Sequence, residues 1–234
     1  MVSRVFTLLL AGLISLTAVQ AADIEGTIVI KRRLTKRRVT TPANSYDRGV
    51  SVTLRPDVEM DPLAMERSHV VIYLEGQLAS TPVVATLGQE NRRFVPETLV
   101  VPVGSTVSFP NNDPIFHNVF SLSNSKSFDL GNYPKGHTRT VTFTKPGIVF
   151  VNCHLHPNMS AAIVVSPNQW ATKADGAGHF KLSDVPPGKY TAVAWHKTAG
   201  FFRETVTVSE SHDGLVQFVI PLEAEDSGKE MARR

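Results

Sequence analysis

Short alternating apolar runs, ended every few residues by glycine or proline, occupy most of this sequence. Residues 101–109 alternate around Gly104, and a second alternating run lies between turns at 134–136 and 146–147. No segment keeps a long 3.6-residue apolar period, so the pattern does not favour long amphipathic helices. With 15 glycines and 15 prolines among 234 residues, it predicts an all-β protein whose strands are joined by tight turns.

The first 21 residues have the composition of a secretory signal peptide. Arg4 precedes an apolar stretch from Val5 to about Val19, and cleavage after Ala21 would follow small residues. The stretch is shorter than the ~20 apolar residues of a membrane span, and no later segment approaches that length. We therefore expect a periplasmic or secreted protein without a membrane span.

Cys153 is the only cysteine of the chain, so it cannot form an internal disulfide. It could be a buried packing residue, an intermolecular disulfide partner or a metal ligand. His156 and Met159 follow it at C-x2-H-x2-M spacing. Thiolate and imidazole favour soft or borderline metals, and two histidines, one cysteine and a weak axial methionine form a blue-copper site.

His117 supplies the second histidine. It follows the turn-rich residues 110–114 and precedes an apolar run, which predicts a strand. Two turns and two further strands lead from it to Cys153. This arrangement fits a β-sandwich with one copper ion. His117 lies upstream, and the other candidate ligands lie together on the loop that closes the last hairpin.

Residues 92–166 resemble the cupredoxins, in particular those with the short ligand loop of the amicyanin type. His117-Asn118, the approach TFTKPGIVFVNC and the C-x2-H-x2-M spacing carry this resemblance. It implies a Greek-key β-sandwich in which Asn118 ties the first-ligand segment to the cysteine loop by hydrogen bonding. The implied copper ligands are His117, Cys153 and His156 in the equatorial positions and Met159 in the axial one.

His154 departs from that pattern, since most cupredoxins have no histidine directly after the cysteine. Multicopper oxidases do, but they need several His-x-His pairs, and 154–156 is the only such pair among eight histidines. The implied ligands also leave no open position for a substrate, so we predict no enzymatic activity. Strand alternation makes His154 a non-ligand, with a weak second metal contact or a tuning role as the alternative.

The remaining histidines have no partner at ligand spacing, and we assign them no metal role. His196 lies in an apolar strand, where we expect a satisfied structural histidine. The other four are expected at a strand start, in a turn or in exposed loops: His69, His137, His179 and His212.

Residues after the copper loop resemble the carboxypeptidase regulatory-like β-sandwich. Asp175, Gly178 and Phe180 match D-x-x-G-x-F, and residues 185–190 match V-P-P-G-x-Y. Glycine and proline would set the turns, while Phe180 and Tyr190 would fill the core. The two earlier strands that this sandwich needs have counterparts at residues 23–31 and at either 48–54 or 69–76.

These resemblances predict one discontinuous sandwich, residues 22–86 and 167–222, with a cupredoxin domain at 87–166 inserted between its parts. Two tandem domains are the alternative, and the polar tail 223–234 is expected to fray. Exported bacterial proteins labelled methylamine utilization or plastocyanin-like are similar along most of the mature chain. No residue argues for a methylamine role.

The segment from Lys31 to Arg38 carries six basic residues in eight positions. A solvated hairpin or loop is the simpler interpretation, and docking to an acidic redox partner or an anionic membrane surface is the alternative. Nucleic acid is not an expected partner, because aromatic stacking positions are lacking.

Two classes of function remain. The first is electron transfer with a redox partner protein, in which His156 provides the exposed edge of the copper site. The second is copper handling, in which a carrier, buffer or tolerance protein exchanges the metal with a donor or acceptor. A weaker third possibility is an interaction module that binds another exported protein or a glycan.

Overall fold

The structure, a computed structural model, describes residues 21–34, 61, 63–76, 78–209 and 212–220. These residues are almost entirely β-structure, so the predicted all-β class is confirmed. Four predictions lie wholly or mainly outside the described residues: the signal peptide, the basic segment beyond residue 34, the candidate strand 48–54 and the tail. No helix among the described residues is long and apolar enough to cross a membrane.

Seventeen strands and one short helix make up the described chain. They are β1 (Ala22–Ile30), α1 (Ala64–Ser68), β2 (Val71–Leu74), β3 (Val84–Thr86), β4 (Gly88–Glu90), β5 (Arg93–Val95), β6 (Thr98–Pro102), β7 (Thr106–Pro110), β8 (His117–Ser123), β9 (Lys126–Tyr133), β10 (Thr138–Thr142), β11 (Gly147–Asn152), β12 (Ser160–Ser166), β13 (Ala171–Lys173), β14 (His179–Val185), β15 (Gly188–His196), β16 (Gly200–Val208) and β17 (Gly214–Ile220).

Strands β3 to β12 form the first sandwich. One sheet has the order β6-β12-β11-β8-β9 and the other the order β10-β7-β3, while β4 and β5 form a separate hairpin. Apolar side chains from both sheets, including Phe109, Phe143 and Val149, form one buried core. The predicted strand pair around Gly104 is present as β6 and β7, and Gly104 itself has a positive φ of 92°.

The second sandwich combines strands from before and after the first one. Its sheets have the orders β14-β1-β17 and β13-β2-β15-β16, and they enclose a second buried core. Of the candidate strands, 69–76 contributes β2, but the strand starts at Val71 and His69 caps the end of α1 instead. The exact domain boundaries stay a prediction.

The D-x-x-G-x-F motif forms the turn before β14. The carboxylate of Asp175 accepts the main-chain N–H of His179 at 2.8 Å. Gly178 has a φ of 95°, and a Cβ there would lie 2.5 Å from the carbonyl oxygen of Ile28. Only glycine allows this close approach, which sets the pairing of β14 beside β1 and buries Phe180 in the core.

A small apolar cluster joins the two sandwiches. Trp195 and Val71 of the second sandwich pack with Ala162 and Val164, which lie on β12 of the first. The ring of Phe150 lies 6.5 Å from that of Trp195. Because β12 directly follows the loop that holds His156 and Met159, this cluster supports the strand on which the loop ends.

His196 is buried at the end of β15 and is held by hydrogen bonds to Nδ1. Nδ1 accepts the main-chain N–H groups of Thr198 and Ala199, each at 3.3 Å. Nε2 lies 3.3 Å from the buried carboxylate of Glu66 on α1. Burial lowers the pKa of His196, although the Glu66 carboxylate acts in the opposite direction.

We expect the free energy of unfolding to decrease as the pH falls below about 6.5, the pKa of an unperturbed histidine. The folded state keeps His196 neutral while the unfolded chain takes up the proton, so this stability is present above that pH and lost below it. One histidine contributes a slope of at most about 1.4 kcal/mol per pH unit.

Chemical denaturation between about pH 7.5 and pH 5 measures this slope in the wild type and in His196→Gln. The slope should be smaller in His196→Gln than in the wild type. His137→Gln, at an exposed turn position, is the matched control and should keep the wild-type slope. Equal slopes in all three proteins would contradict the assignment.

Candidate metal centre

Three predicted ligands meet at one end of the first sandwich. His117 begins β8, Cys153 directly follows β11, and His156 lies in the loop before β12. Nδ1 of His117 is 3.1 Å from Nδ1 of His156, and the Cys153 sulfur is 3.9 and 3.7 Å from these two atoms. Among the described residues, this is the one group of at least three histidine, cysteine or acidic side chains placed to hold a metal ion.

The strand order explains why distant residues meet here. β8 and β11 are antiparallel neighbours, so the start of β8 lies beside the end of β11. The loop after β11 is closed by two main-chain hydrogen bonds, from Cys153 to Met159 at 3.2 Å and from Met159 to His156 at 2.9 Å. This closure returns the chain into β12 within seven residues and keeps the loop ligands together.

Met159, the predicted axial ligand, is the last residue of this loop. Its side chain is buried and belongs to the same core cluster as Cys153. The first sandwich therefore brings a thioether into the apolar surroundings of the thiol, which is where a weak axial donor would be needed.

The surroundings of His156 favour the neutral imidazole that a metal requires. Burial lowers the pKa of His156, with further lowering from His117 and Arg92 and an opposing effect of Asp113. A neutral His156 can therefore present a lone pair at Nδ1. Two nitrogen lone pairs 3.1 Å apart repel each other unless a proton or a cation lies between them.

The donor set fits copper. Two imidazole nitrogens and a thiolate are the equatorial donors of blue-copper sites, and a metal with bonds of about 2.0–2.3 Å would be surrounded by donors at separations like these. The main-chain N–H of Asn118 points at the Cys153 sulfur at 3.4 Å, a contact that stabilises a thiolate.

Asn118 connects the two segments by a hydrogen bond, as expected. The link to the cysteine is made by its main chain, because its side-chain amide donates to Asp129 at 2.7 Å instead. Asp129 also accepts the main-chain N–H of Gly131 at 2.8 Å. Hydrogen bonds from Gly131 and Asn118 outweigh burial and lower the pKa of Asp129, so it is a carboxylate at neutral pH.

Asp113 holds His117 from the side opposite the cluster. Its carboxylate lies 2.7 Å from Nε2 of His117, and both side chains are buried. A carboxylate only accepts hydrogen bonds, so Nε2 carries the proton and Nδ1 is free to bind a metal. Burial raises the pKa of Asp113, but hydrogen bonds from Arg92, His117 and Asn91 outweigh this effect and leave the pKa lowered.

His154 lies outside the cluster. Its ring stacks on Phe120 with centroids 3.7 Å apart and planes inclined by 3°, and Nε2 is 3.9 Å from Asp129. The side chain is 57% exposed, whereas Cys153 is buried. This geometry agrees with the expected opposite orientation of the two side chains.

Several solved structures are similar to part of the chain. A purple cupredoxin from Nitrosopumilus maritimus is 26% identical with a TM-score of 0.33, over 35% of this chain and 99% of that protein. A reduced amicyanin variant is 22% identical with a TM-score of 0.33, over 41% of this chain and 98% of amicyanin.

A third similar structure is the copper-containing nitrite reductase (NirK) from Thermus scotoductus SA-01. It is 30% identical with a TM-score of 0.33, and the similarity covers 38% of this chain but only 23% of the reductase. At this TM-score, none of the three similarities assigns a function to the chain.

A family model for domain II of polysaccharide lyase family 4 matches residues 148–214, less than a third of the chain. The match starts in β11 of the first sandwich and ends at β17 of the second. The resemblance of the second sandwich to the carboxypeptidase regulatory-like family stays a prediction. No protein of curated function matches the chain.

Sequence reasoning identified the three side chains that converge here, with Met159 as a predicted fourth donor, but missed Asp113. The available signal was its position four residues before His117, in a turn-rich segment next to Pro114. The contact of this segment with the β4–β5 hairpin has no signal in the sequence, because it depends on how the hairpin packs against the sandwich.

We expect His154→Ala to bind copper as tightly as the wild type, because its ring contacts Phe120 and not the donor atoms. Losing the stacked pair should lower the free energy of unfolding by no more than about 1 kcal/mol. His156→Ala removes a proposed donor and should weaken Cu(II) binding by more than about 100-fold. Losing a residue that only hydrogen-bonds to a ligand costs at most about that much affinity. Competition titration with a chelator measures both; equal losses would place His154 among the ligands.

Proposed function

We propose that the protein is an exported cupredoxin that binds one copper ion per chain and transfers single electrons between partner proteins. The ligands are His117, Cys153 and His156, with Met159 as the axial ligand. The observation that carries this proposal is the convergence of two imidazole nitrogens and one sulfur within 4.8 Å. When bound, copper supplies a couple between Cu(II) and Cu(I).

The surroundings of the donors favour electron transfer because they resist movement. His117 is held by Asp113, the sulfur by the N–H of Asn118, and the ligand loop by its own main-chain hydrogen bonds. Ligands that keep their positions in both oxidation states keep the reorganisation energy small. Outer hydrogen bonds orient metal ligands in this way.

The exposed side of the loop offers a place for a partner. His156 is partly exposed, and beside its segment Phe116 is 56% and Leu155 is 45% exposed. Apolar side chains around an accessible ligand suit a short-lived contact with a redox partner. Such a contact would bring the partner within reach of the imidazole that binds the metal.

Copper handling is the second candidate, and the exposed position of His156 is the observation that favours it. A carrier must release its metal, and an acceptor protein would first displace the ligand that lies nearest to solvent. His117 and Cys153 are buried, however, which disfavours rapid exchange. Reversible one-electron voltammetry with slow copper loss to a chelator would support electron transfer, whereas fast copper loss without reversible cycling would support the carrier.

The second sandwich serves in this proposal as a support and as a place of interaction with other exported proteins. Trp195 packs it against β12, next to the ligand loop. The proposal includes no enzymatic reaction, no nucleic acid and no membrane span. The basic residues from Lys31 onward remain a candidate docking segment.

Cys153→Ser should abolish the intense visible charge-transfer band of the Cu(II) protein. Only a coordinated thiolate gives this band, and the chain has a single thiol. The visible spectrum and metal content are measured together for the wild type and the variant. A variant that keeps full copper occupancy and the original colour would contradict the proposed site.

Met159→Leu should keep the visible band and the fold but raise the reduction potential. A weak axial thioether donates electron density to the metal while contributing little to its retention, so it tunes potential more than affinity. Voltammetry and paramagnetic resonance provide the measurements. Unchanged potential in Met159→Leu would exclude this methionine as the axial ligand.

A further inference from the structure

Asp113 is not one of the predicted ligands, but it contacts one of them. Its carboxylate binds Nε2 of His117, the ring nitrogen that faces away from the cluster, at 2.7 Å. Both side chains are buried, so water does not weaken the contact. A change in the charge or hydrogen bonding of this carboxylate can therefore alter how strongly Nδ1 of His117 donates to a bound metal.

The turn between β4 and β5 is shaped around this carboxylate. Asn91 and Arg92 donate their main-chain N–H groups to Oδ1 and Oδ2 of Asp113, at 2.6 and 2.8 Å. Both residues are left-handed, with φ of 52° and 57°. Positive φ at both central positions is the usual geometry of a two-residue hairpin turn, and here it directs both N–H groups at the Asp113 carboxylate.

The segment that carries Asp113 is also fixed from its own side. The side-chain oxygen of Asn111 accepts the N–H of Asp113 at 3.0 Å, and its amide donates to the carbonyls of Ile115 and Tyr133 at 2.8 and 3.0 Å. The amide of Gln89 in β4 donates to the Tyr133 hydroxyl at 2.7 Å. The carboxylate thus meets His117 from a position held by two separate elements.

We propose that Asp113 is a positioning residue that sets the tautomer of His117 and lowers the reduction potential of the copper site. This inference rests on the proposed function. By accepting a hydrogen bond from the Nε2–H group, the carboxylate leaves the Nδ1 lone pair free and directed towards Cys153. Its negative charge makes the imidazole a stronger donor, which stabilises Cu(II) more than Cu(I).

The β4–β5 hairpin holds the Asp113 carboxylate in place. A carboxylate that interacted with His117 alone could rotate away, whereas two N–H groups from the β4–β5 turn hold both of its oxygens. The function of the turn is to keep the carboxylate directed at Nε2.

The test compares Asp113→Asn with the wild type and with Asp129→Asn. Asp113→Asn keeps the size and one acceptor oxygen but removes the charge. We expect Cu(II) affinity to fall about 10–100-fold, the range for outer partners of metal ligands, with a smaller loss for Cu(I). The potential should rise accordingly. Asp129→Asn removes the same charge from a hydrogen-bonded carboxylate that binds Asn118 and not His117, so it should change the ratio of the two affinities less than Asp113→Asn does.

Nitrogen-15 NMR of the copper-free wild type provides a second measurement that needs neither copper nor a folded variant. His117 should be found as the tautomer protonated at Nε2, with a strongly hydrogen-bonded proton. A mixture of tautomers, or protonation at Nδ1, would overturn the proposal. Asp113→Glu, which keeps the charge, should recover part of the wild-type potential.

The outcomes separate this inference from the proposed function. A wild type without a thiolate-to-copper band would refute the copper site, while the NMR measurement would still decide on the tautomer. A wild type with the band, combined with equal affinity ratios in Asp113→Asn and Asp129→Asn, would refute the role of Asp113 and leave the copper site intact.

Discussion

The hydrogen bond from the main-chain N–H of Asn118 to the Cys153 sulfur joins the two segments on which the site depends. It links the start of β8 to the end of β11, and these strands are 35 residues apart in sequence at the point of contact. A neutral thiol gains little from such a donor, but a thiolate gains a charge-assisted bond. Both His117 and the ligand loop are then positioned relative to this sulfur.

Around that bond, the site is held from three directions. The loop closes on itself through Met159, the carboxylate of Asp113 fixes His117, and the core of the first sandwich surrounds the thiol. Each support is provided by main-chain or buried groups, which have few alternative positions. A centre built in this way suits a metal that changes its charge without changing its ligands.

The second sandwich contributes to this rigidity from a distance. Trp195 packs on the outer face of β12, the strand that begins where the ligand loop ends. Burying a large aromatic side chain between two sheets removes apolar surface from water and limits the movement of one sandwich against the other. The contact of His196 with the Glu66 carboxylate, 3.3 Å from Nε2, connects α1 to β15.

Local patterns determined much of this protein. Alternating runs and Gly-Pro turns predicted an all-β chain, since these depend on backbone preferences that each residue carries itself. C-x2-H-x2-M spacing predicted the loop donors because three ligands on one short loop must lie close together. Gly178 could be predicted as a turn residue. The sequence could not predict that the carbonyl group of Ile28 would occupy the space that a Cβ would need there.

Only the tertiary structure decided what surrounds those residues. The sequence contains Asp113 and the Asn91-Arg92 turn, but their meeting depends on how the β4–β5 hairpin packs on the sandwich. The same holds for Asn118, whose amide turns to Asp129, and for His154, whose ring finds Phe120. Spacing along a strand specifies the face on which a side chain lies. The partner of that side chain comes from another strand, and only long-range packing determines which strand that is.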